Sequence, residues 1–262
     1  KKFLPKSNLE KIGHEHANTA FTYSCPSKKS EIVIYREEEW FKVFIHETFH
    51  LMALDFSGAN AEELCKQKMK TIFPINSDFR LYESYTETWA VIIHTCICAY
   101  SCFEDTHKID PFIQTVKFLL GFETLFKLFQ MYKILTFMGL DFSLLTLKTK
   151  DAQIARDNLY HENTNVFAYH IVTTILLCNY VSFLDWCDKH NFTSIMAFHS
   201  THPNIERFCD FIISRHNSEY TTKCINNMFN NNCYKKIVNN ATNKKEKTFI
   251  ETSLRMTLCE MR

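Results

Sequence analysis

The feature that most constrains this chain is His46-Glu47-Thr48-Phe49-His50, set in the stretch EEEWFKVFIHETFHLMALDFSG from Glu37 to Gly58. Two histidines four positions apart leave one face of a helix together, about 6 Å apart in rise, so both imidazoles converge on one metal ion. Glu47 then lies beside that ion, placed to take a proton from a metal-bound water, which separates a hydrolytic site from a merely structural one. The flanks agree with a helix. Glu37, Glu38 and Glu39 suit the positive end of its dipole, and Trp40, Val43, Phe44 and Leu51 make an apolar stripe. Only 4 glycines occur in the chain, so Gly58 just past the pattern reads as the helix C-cap.

A catalytic zinc keeps one position open for water and takes three protein ligands, of which His2Glu is a recurrent set. The third ligand is expected on a later helix. A helix over Ala61 to Phe73 is stopped by Pro74, after which Ser77 or Asp78 can cap another from about Phe79 to Cys102. Glu83 and Glu87 fall one turn apart near its start. Glu83 is the expected ligand, and Glu87 the carboxylate that accepts a hydrogen bond from the outer nitrogen of a ligand histidine. Sequence does not fix the rotation of that helix, so the reversed assignment and a solvated face for both residues stay open.

With HETFH followed by ESYTE after 32 intervening residues, the chain resembles the gluzincin metallopeptidases, the thermolysin-like group, over roughly residues 31 to 90. In that group HExxH on one helix is completed by Glu on a later helix, often with an acidic residue four positions on. The resemblance is at the level of motifs. It implies a zincin-like fold, one Zn2+ on His46, His50 and Glu83, and cleavage of peptide or protein substrates with Glu47 as the base. It also implies a Tyr or His donor to the oxyanion, for which Tyr169 is the choice, with His170 behind it. The metzincin pattern is absent, since Ala53 and Phe56 stand where Gly and His or Asp are required. Asp55 reads as a structural helix-end residue.

The remaining chain fits a mainly α (α+β) protein with a small N-terminal hairpin or sheet, an active-site helix and a helical C-terminal part. The hairpin joins Ala20 to Ser24 with Glu31 to Arg36 across a turn-rich stretch, and its second strand is placed to align a substrate peptide. Later helices are expected over Pro111 to Phe122, Glu123 to Met138 and, after a looser region from Lys148 to Asp157, Asn163 to His190. His161, Asn165, Tyr169 and Thr173 form a polar row on the last of these. His94, Cys96, Cys98 and Cys102 read as core residues more readily than as a second metal site, and His199 and His202 as exposed loop histidines. Domains divide at 1–105, 106–225 and 226–262. The Asn- and Lys-rich stretch from Asn226 to Lys247 has too few apolar residues to fold alone, so it drapes over the body or contacts a protein partner.

Composition narrows the class. With 46% hydrophobic and 15% aromatic residues the chain can bury a full core, and a net charge of +1 gives no general attraction to nucleic acid. Val91 to Phe103 and Ile171 to Phe183 are too short and too punctuated to span a membrane. Eleven cysteines in a chain of this length argue for reduced thiols, and the N-terminal residues lack the apolar core of a signal peptide, which together indicate a cytoplasmic or virion-associated setting. The rival reading is a non-catalytic structural or interaction protein that keeps a zincin fold, such as an assembly or virion component.

Overall fold

Apolar side chains recur at helical rather than strand spacing, and the computed structural model, which describes residues 1–22, 30–103, 109–230 and 233–260, is 64% helix and 5% strand. The strands are β1 Ile12–Gly13, β2 Ala20–Thr22, β3 Ile32–Ile34 and β4 Glu162–Asn163. β2 and β3 pair antiparallel with Phe21 opposite Val33, so the expected hairpin forms, although its turn lies outside the described residues. β1 and β4 pair in parallel, which ties the N-terminal segment to the middle of the chain.

The helices are α1 His14–Ala17, α2 Trp40–Leu51, α3 Glu62–Lys70, α4 Leu81–Ser101, α5 Ile109–Phe137, α6 Phe142–Thr146 and α7 Lys150–Leu159. A π-helical segment, Phe167–Val172, precedes α8 Thr173–Cys178, α9 Tyr180–His190 and α10 His202–Arg215. Beyond these come α11 Glu219–Asn230, α12 Cys233–Asn239 and α13 Lys244–Thr252. One apolar core runs from Ile12 to Leu254, with Phe73, Phe79, Tyr85, Phe167, Phe183 and Phe208 sealed from solvent. α2 packs on α4, and α4 on α5 and α8, so the motif helix sits against the centre of the bundle.

Several sequence expectations are corrected. α2 does not run on to Gly58. Ala53 adopts a left-handed conformation (φ 52), Leu54 N donates to Phe49 O at 2.9 Å, and Ala53 N donates to His50 O at 3.2 Å. This is a Schellman-type stop with alanine in the glycine position. Its consequence is local: the chain turns early enough for Asp55 to reach back to His50. The expected apolar stripe of α2 is only in part its buried face: Val43 is buried, but Trp40 and Phe44 are 46% and 43% exposed, while Lys42, His46, Glu47 and His50 point inward.

The two helices expected between Pro111 and Met138 are one continuous helix, α5, since nothing at Phe122 and Glu123 breaks the backbone ladder. The looser region from Lys148 to Asp157 is α7, whose start is capped by Thr149 Oγ1 accepting from Ala152 N. The long helix expected from Asn163 to His190 is broken. It begins as a π-helical segment and bends by 93° at Asn179, whose side-chain amide donates to Ile175 O and Thr221 Oγ1. No single helix among the described residues is long and apolar enough to cross a membrane.

The C-terminal third is helical through α11, α12 and α13, and then crosses back over the body as an extended strap, residues 253–259. Side chains of α5 and the entry to α2 satisfy the strap's backbone. Glu39 accepts from Met256 N and Thr257 N at 2.6 and 2.7 Å, and Glu123 accepts from Leu258 N and Cys259 N at 3.0 and 2.8 Å. Gln130 and Lys133 donate to Arg255 O and Ser253 O, each at 2.7 Å. Buried backbone groups need such partners, and here side chains supply what a sheet would otherwise give.

Candidate metal centre

α2 brings His46 and His50 onto one face, and α4, packed against it, brings Glu83 to the same point. His46 Nε2 lies 3.1 Å from His50 Nε2, and Glu83 Oε2 lies 3.2 Å from the first and 3.4 Å from the second. All three residues are 9% exposed or less. Donors bound to one tetrahedral ion at ~2.0–2.1 Å stand roughly 3.3 Å apart, the length of a tetrahedral edge, so the observed triangle has the size of one face of such a site.

Hydrogen-bond bookkeeping points the same way. His46 Nδ1 lies 3.1 Å from Glu87 Oε2, and His50 Nδ1 is in close contact with Asp55 Oδ2. An imidazole that donates its Nδ1–H to a carboxylate carries a bare lone pair on Nε2. Two such lone pairs and a carboxylate oxygen therefore face one another, which is repulsive unless protons or a cation lie among them. Protons are one answer: burial lowers the basicity of both rings, but Glu83 with Glu87 raises His46, and Glu83 with Asp55 raises His50 well above its ordinary value. Burial would raise the Glu83 carboxyl in turn, yet His50 and His46 hold it far below the usual range. A metal ion would take the place of those protons, and the buried His-His-Glu group could hold one.

Glu83 is fixed on its far side by the π-helical segment and the residues leading into it. Asn165 Nδ2 donates to Oε1 and the Tyr169 hydroxyl to Oε2, both at 3.0 Å, and the Tyr169 ring lies 6.0 Å from that of His46. Two members of the polar row read from the sequence thus meet at one carboxylate. A third, Thr173, turns to Ala168 O instead. His170, beside Tyr169, is 1% exposed, neither of its ring nitrogens has a hydrogen-bond partner, and burial beside Lys127 and Lys2 keeps it neutral.

Glu87 occupies the next turn of α4 and faces away from the donor triangle. Lys42 Nζ donates to its two oxygens at 2.9 and 2.8 Å, and Lys127 Nζ donates to Oε1 at 2.7 Å. Burial alone would raise this carboxyl; Lys127 and Lys42 outweigh it and keep the group ionised. Glu87 thus joins α2, α4 and α5 while orienting His46. Sequence reasoning missed Lys42, Lys127 and the orienting role of Asp55, and it placed Asn165 in the polar row without giving it a partner. A lysine inside an otherwise inward-facing run of α2 was the available signal for the first.

A cavity of about 210 Å³ opens over the triangle, lined by Glu47, Tyr82, Tyr169 and the β2 residues Ala20, Phe21 and Thr22 among others. The strand at its border is therefore β2 rather than the Glu31 to Arg36 strand expected from the sequence. Glu47 is 7% exposed, and burial raises its carboxyl above the usual value. His94 lies 3.6 Å from the Cys98 sulfur without a third ligand; among the described residues the only His, Cys, Asp or Glu group with metal-binding geometry is His46, His50 and Glu83.

Fold and centre together define a mainly helical chain with a small sheet and a buried His-His-Glu group able to hold a metal ion. Comparison with protein-family models, curated proteins and solved structures finds no match for it.

Proposed function

We propose that the protein is a zinc-dependent metallopeptidase with a zincin-like arrangement, related in chemistry to the gluzincins. The carrying observation is the triangle of His46, His50 and Glu83 at tetrahedral-edge distances, with the Glu47 carboxylate lining the cavity above it. A nitrogen-rich set with one carboxylate suits Zn2+. Zinc, when bound, supplies a Lewis acid that lowers the pKa of water and polarises a carbonyl.

The chain's own residues do the rest. Glu47 takes the proton of the attacking water and passes it to the leaving amine, and its burial raises its pKa toward the operating pH, where general bases work best. Glu87 and Asp55 hold the two imidazoles in the tautomer that presents Nε2. Tyr169 and Asn165 hold Glu83 in place. Tyr82 lines the same cavity with a hydroxyl that burial keeps protonated, and it takes the role of donor to the oxyanion in place of Tyr169, whose single proton goes to Glu83. The backbone of β2 aligns the substrate peptide by strand addition. In Glu47→Gln, zinc content by elemental analysis should match wild type while hydrolysis of unfolded protein substrates is abolished; hydrolysis that survives in that variant overturns the mechanism.

A second reading, a non-catalytic interaction protein on the same fold, is favoured by one observation. An apolar groove of about 650 Å³ lies between α5, α12, α13 and the strap, and Phe118, Phe122 and Leu125 of α5 are 65%, 44% and 55% exposed. That reading expects wild type and Glu47→Gln to be equally inert toward every peptide offered.

A further inference from the structure

The groove between α5, α12, α13 and the strap is apolar along its walls and basic at its charged points. Phe126, Phe129 and Phe249 line it, Lys133, Lys236 and Arg255 reach it, and no Asp or Glu is among the described residues that do. Arg255 is paired with Glu38 and Glu260. Lys133 has no such partner.

The floor of the groove carries polar groups with nothing to bond. An ammonium has three protons to donate; Lys133 gives one to Ser253 O at 2.7 Å, and the Phe129 ring lies 4.9 Å away. No carboxylate among the described residues accepts the others, and burial alone brings the group down to a pKa of about 7. On the same strap residue the Ser253 hydroxyl is buried without a partner. One turn back on α5, Gln130 donates its amide to Arg255 O at 2.7 Å, which leaves its buried Oε1 unpartnered. All three residues are 4% exposed or less, and all three line the groove. Buried orphans of this kind call for a cause, and a ligand supplies one.

The inventory is donors at Lys133 and Ser253 and an acceptor at Gln130, side by side under an apolar trough. A carboxylate next to an amide N–H answers it: the carboxylate accepts from Lys133 and Ser253, and the N–H donates to Gln130 Oε1. A plain fatty acid would leave that oxygen facing an anion. A polypeptide would bring further backbone N–H and C=O groups into the trough, where the strap's own are already taken by Glu39, Glu123, Gln130 and Lys133. A hydrocarbon chain brings none. We propose that the groove binds a long-chain N-acyl amino acid, its acyl chain along the α5 aromatics, its carboxylate on Lys133 and Ser253 and its amide N–H on Gln130. The groove's volume of about 650 Å³ falls within the range of small-molecule sites. It shares no lining residue with the cavity over the metal centre, so the peptidase reading is not needed for it.

The test is isothermal titration calorimetry of the full chain with N-dodecanoylglycine below its micelle concentration. One saturable site is expected. N-dodecanoylglycinamide, which lacks the carboxylate, and N-dodecanoylsarcosine, which lacks the N–H, should each bind about 10-fold more weakly, and N-decanoylglycine roughly 10-fold more weakly for its shorter chain. Lys133→Met should bring N-dodecanoylglycine down to the level of its amide. Leu125→Glu, at the exposed mouth of the groove, spares the core and should weaken the whole series, so the test stands even where Lys133→Met does not fold. A chelator should change none of these values. Absence of a saturable site, or equal binding of every head group, overturns the proposal. Tighter binding of dodecanoate overturns it in favour of a fatty acid, and tighter binding of acetyl-Phe-Leu-Phe-Leu, measured with chelator present, in favour of a peptide C-terminus. Binding that the chelator abolishes belongs to the metal centre and overturns it too.

Discussion

Two successive turns of α4 carry buried glutamates, and their surroundings differ in kind. Around Glu87 the chain provides its own countercharges, Lys42 and Lys127, and a little further on Lys2 meets Glu39 in the same manner. Around Glu83 it provides only lone pairs, those of His46 and His50, and neutral donors from Tyr169 and Asn165. One turn is electrostatically complete as it stands, and the other is completed either by protons on its imidazoles or by a metal ion. The complete turn stiffens the incomplete one, because Glu87 grips His46 with one oxygen while two ammonium groups fix its position. An ion cluster buried at this cost contributes little net stability by itself; orienting the metal ligand is a reason to keep it.

Deleting the outward-looking carboxylate should break the contrast most completely. Glu83→Ala removes one of three donors, and elemental analysis of the purified variant should find no bound zinc. Glu87→Ala should retain zinc with affinity weakened about 10-fold to 100-fold. A variant pair that behaves in the opposite order would mean that the roles of the two carboxylates are exchanged.

The inward, self-sufficient turn should answer in stability rather than in metal content. Lys127→Met leaves the Glu87 charge buried with one ammonium instead of two, and removing one partner of such a pair costs about 3–5 kcal/mol. Chemical denaturation of the metal-loaded variant measures it; a loss below about 1 kcal/mol would place the pair among ordinary surface contacts. Between these extremes stands Asp55→Ala, which frees His50 Nδ1 and should weaken zinc about 10-fold to 100-fold, or about 1.4–2.7 kcal/mol, without removing a ligand. Competition with a chelator reads that change directly.

How much of this was legible beforehand follows from the range of each interaction. His46, Glu47 and His50 are set by spacing within one helix, and Glu83 with Glu87 by spacing within another, so local geometry sufficed to name them. The contact of Asp55 with His50 was not foreseen because it depends on where α2 stops, and the stop uses alanine in a left-handed conformation where sequence favours Gly58. Lys42 and Lys127 were invisible because each matters only through a carboxylate 45 or 40 positions away. The strap and the last helices were unreadable for a related reason. The strap's backbone groups are satisfied by Glu39, Glu123, Gln130 and Lys133, which sequence gives no cause to bring together.

Lys133 extends the comparison to a buried ammonium with no carboxylate partner among the described residues. It is 3% exposed, donates to Ser253 O, and lies 4.9 Å from the centre of the Phe129 ring. Burial lowers its pKa to about 7, well under the ordinary value of a lysine. The sign follows from proton counting. Between pH 7 and the unfolded value near 10.4 the unfolded chain binds more protons than the folded one, so this group makes stability rise with pH across that window. From pH 7 to pH 8 the folded side chain goes from about half to about a tenth protonated, worth about 1 kcal/mol. Lys133→Met should remove that increment, so the difference between wild-type and variant denaturation free energies should grow by about this amount over the one pH step. Equal slopes would mean that the Ser253 carbonyl and the Phe129 ring stabilise the charge as well as water does, and that this lysine belongs with the self-sufficient group around Glu87.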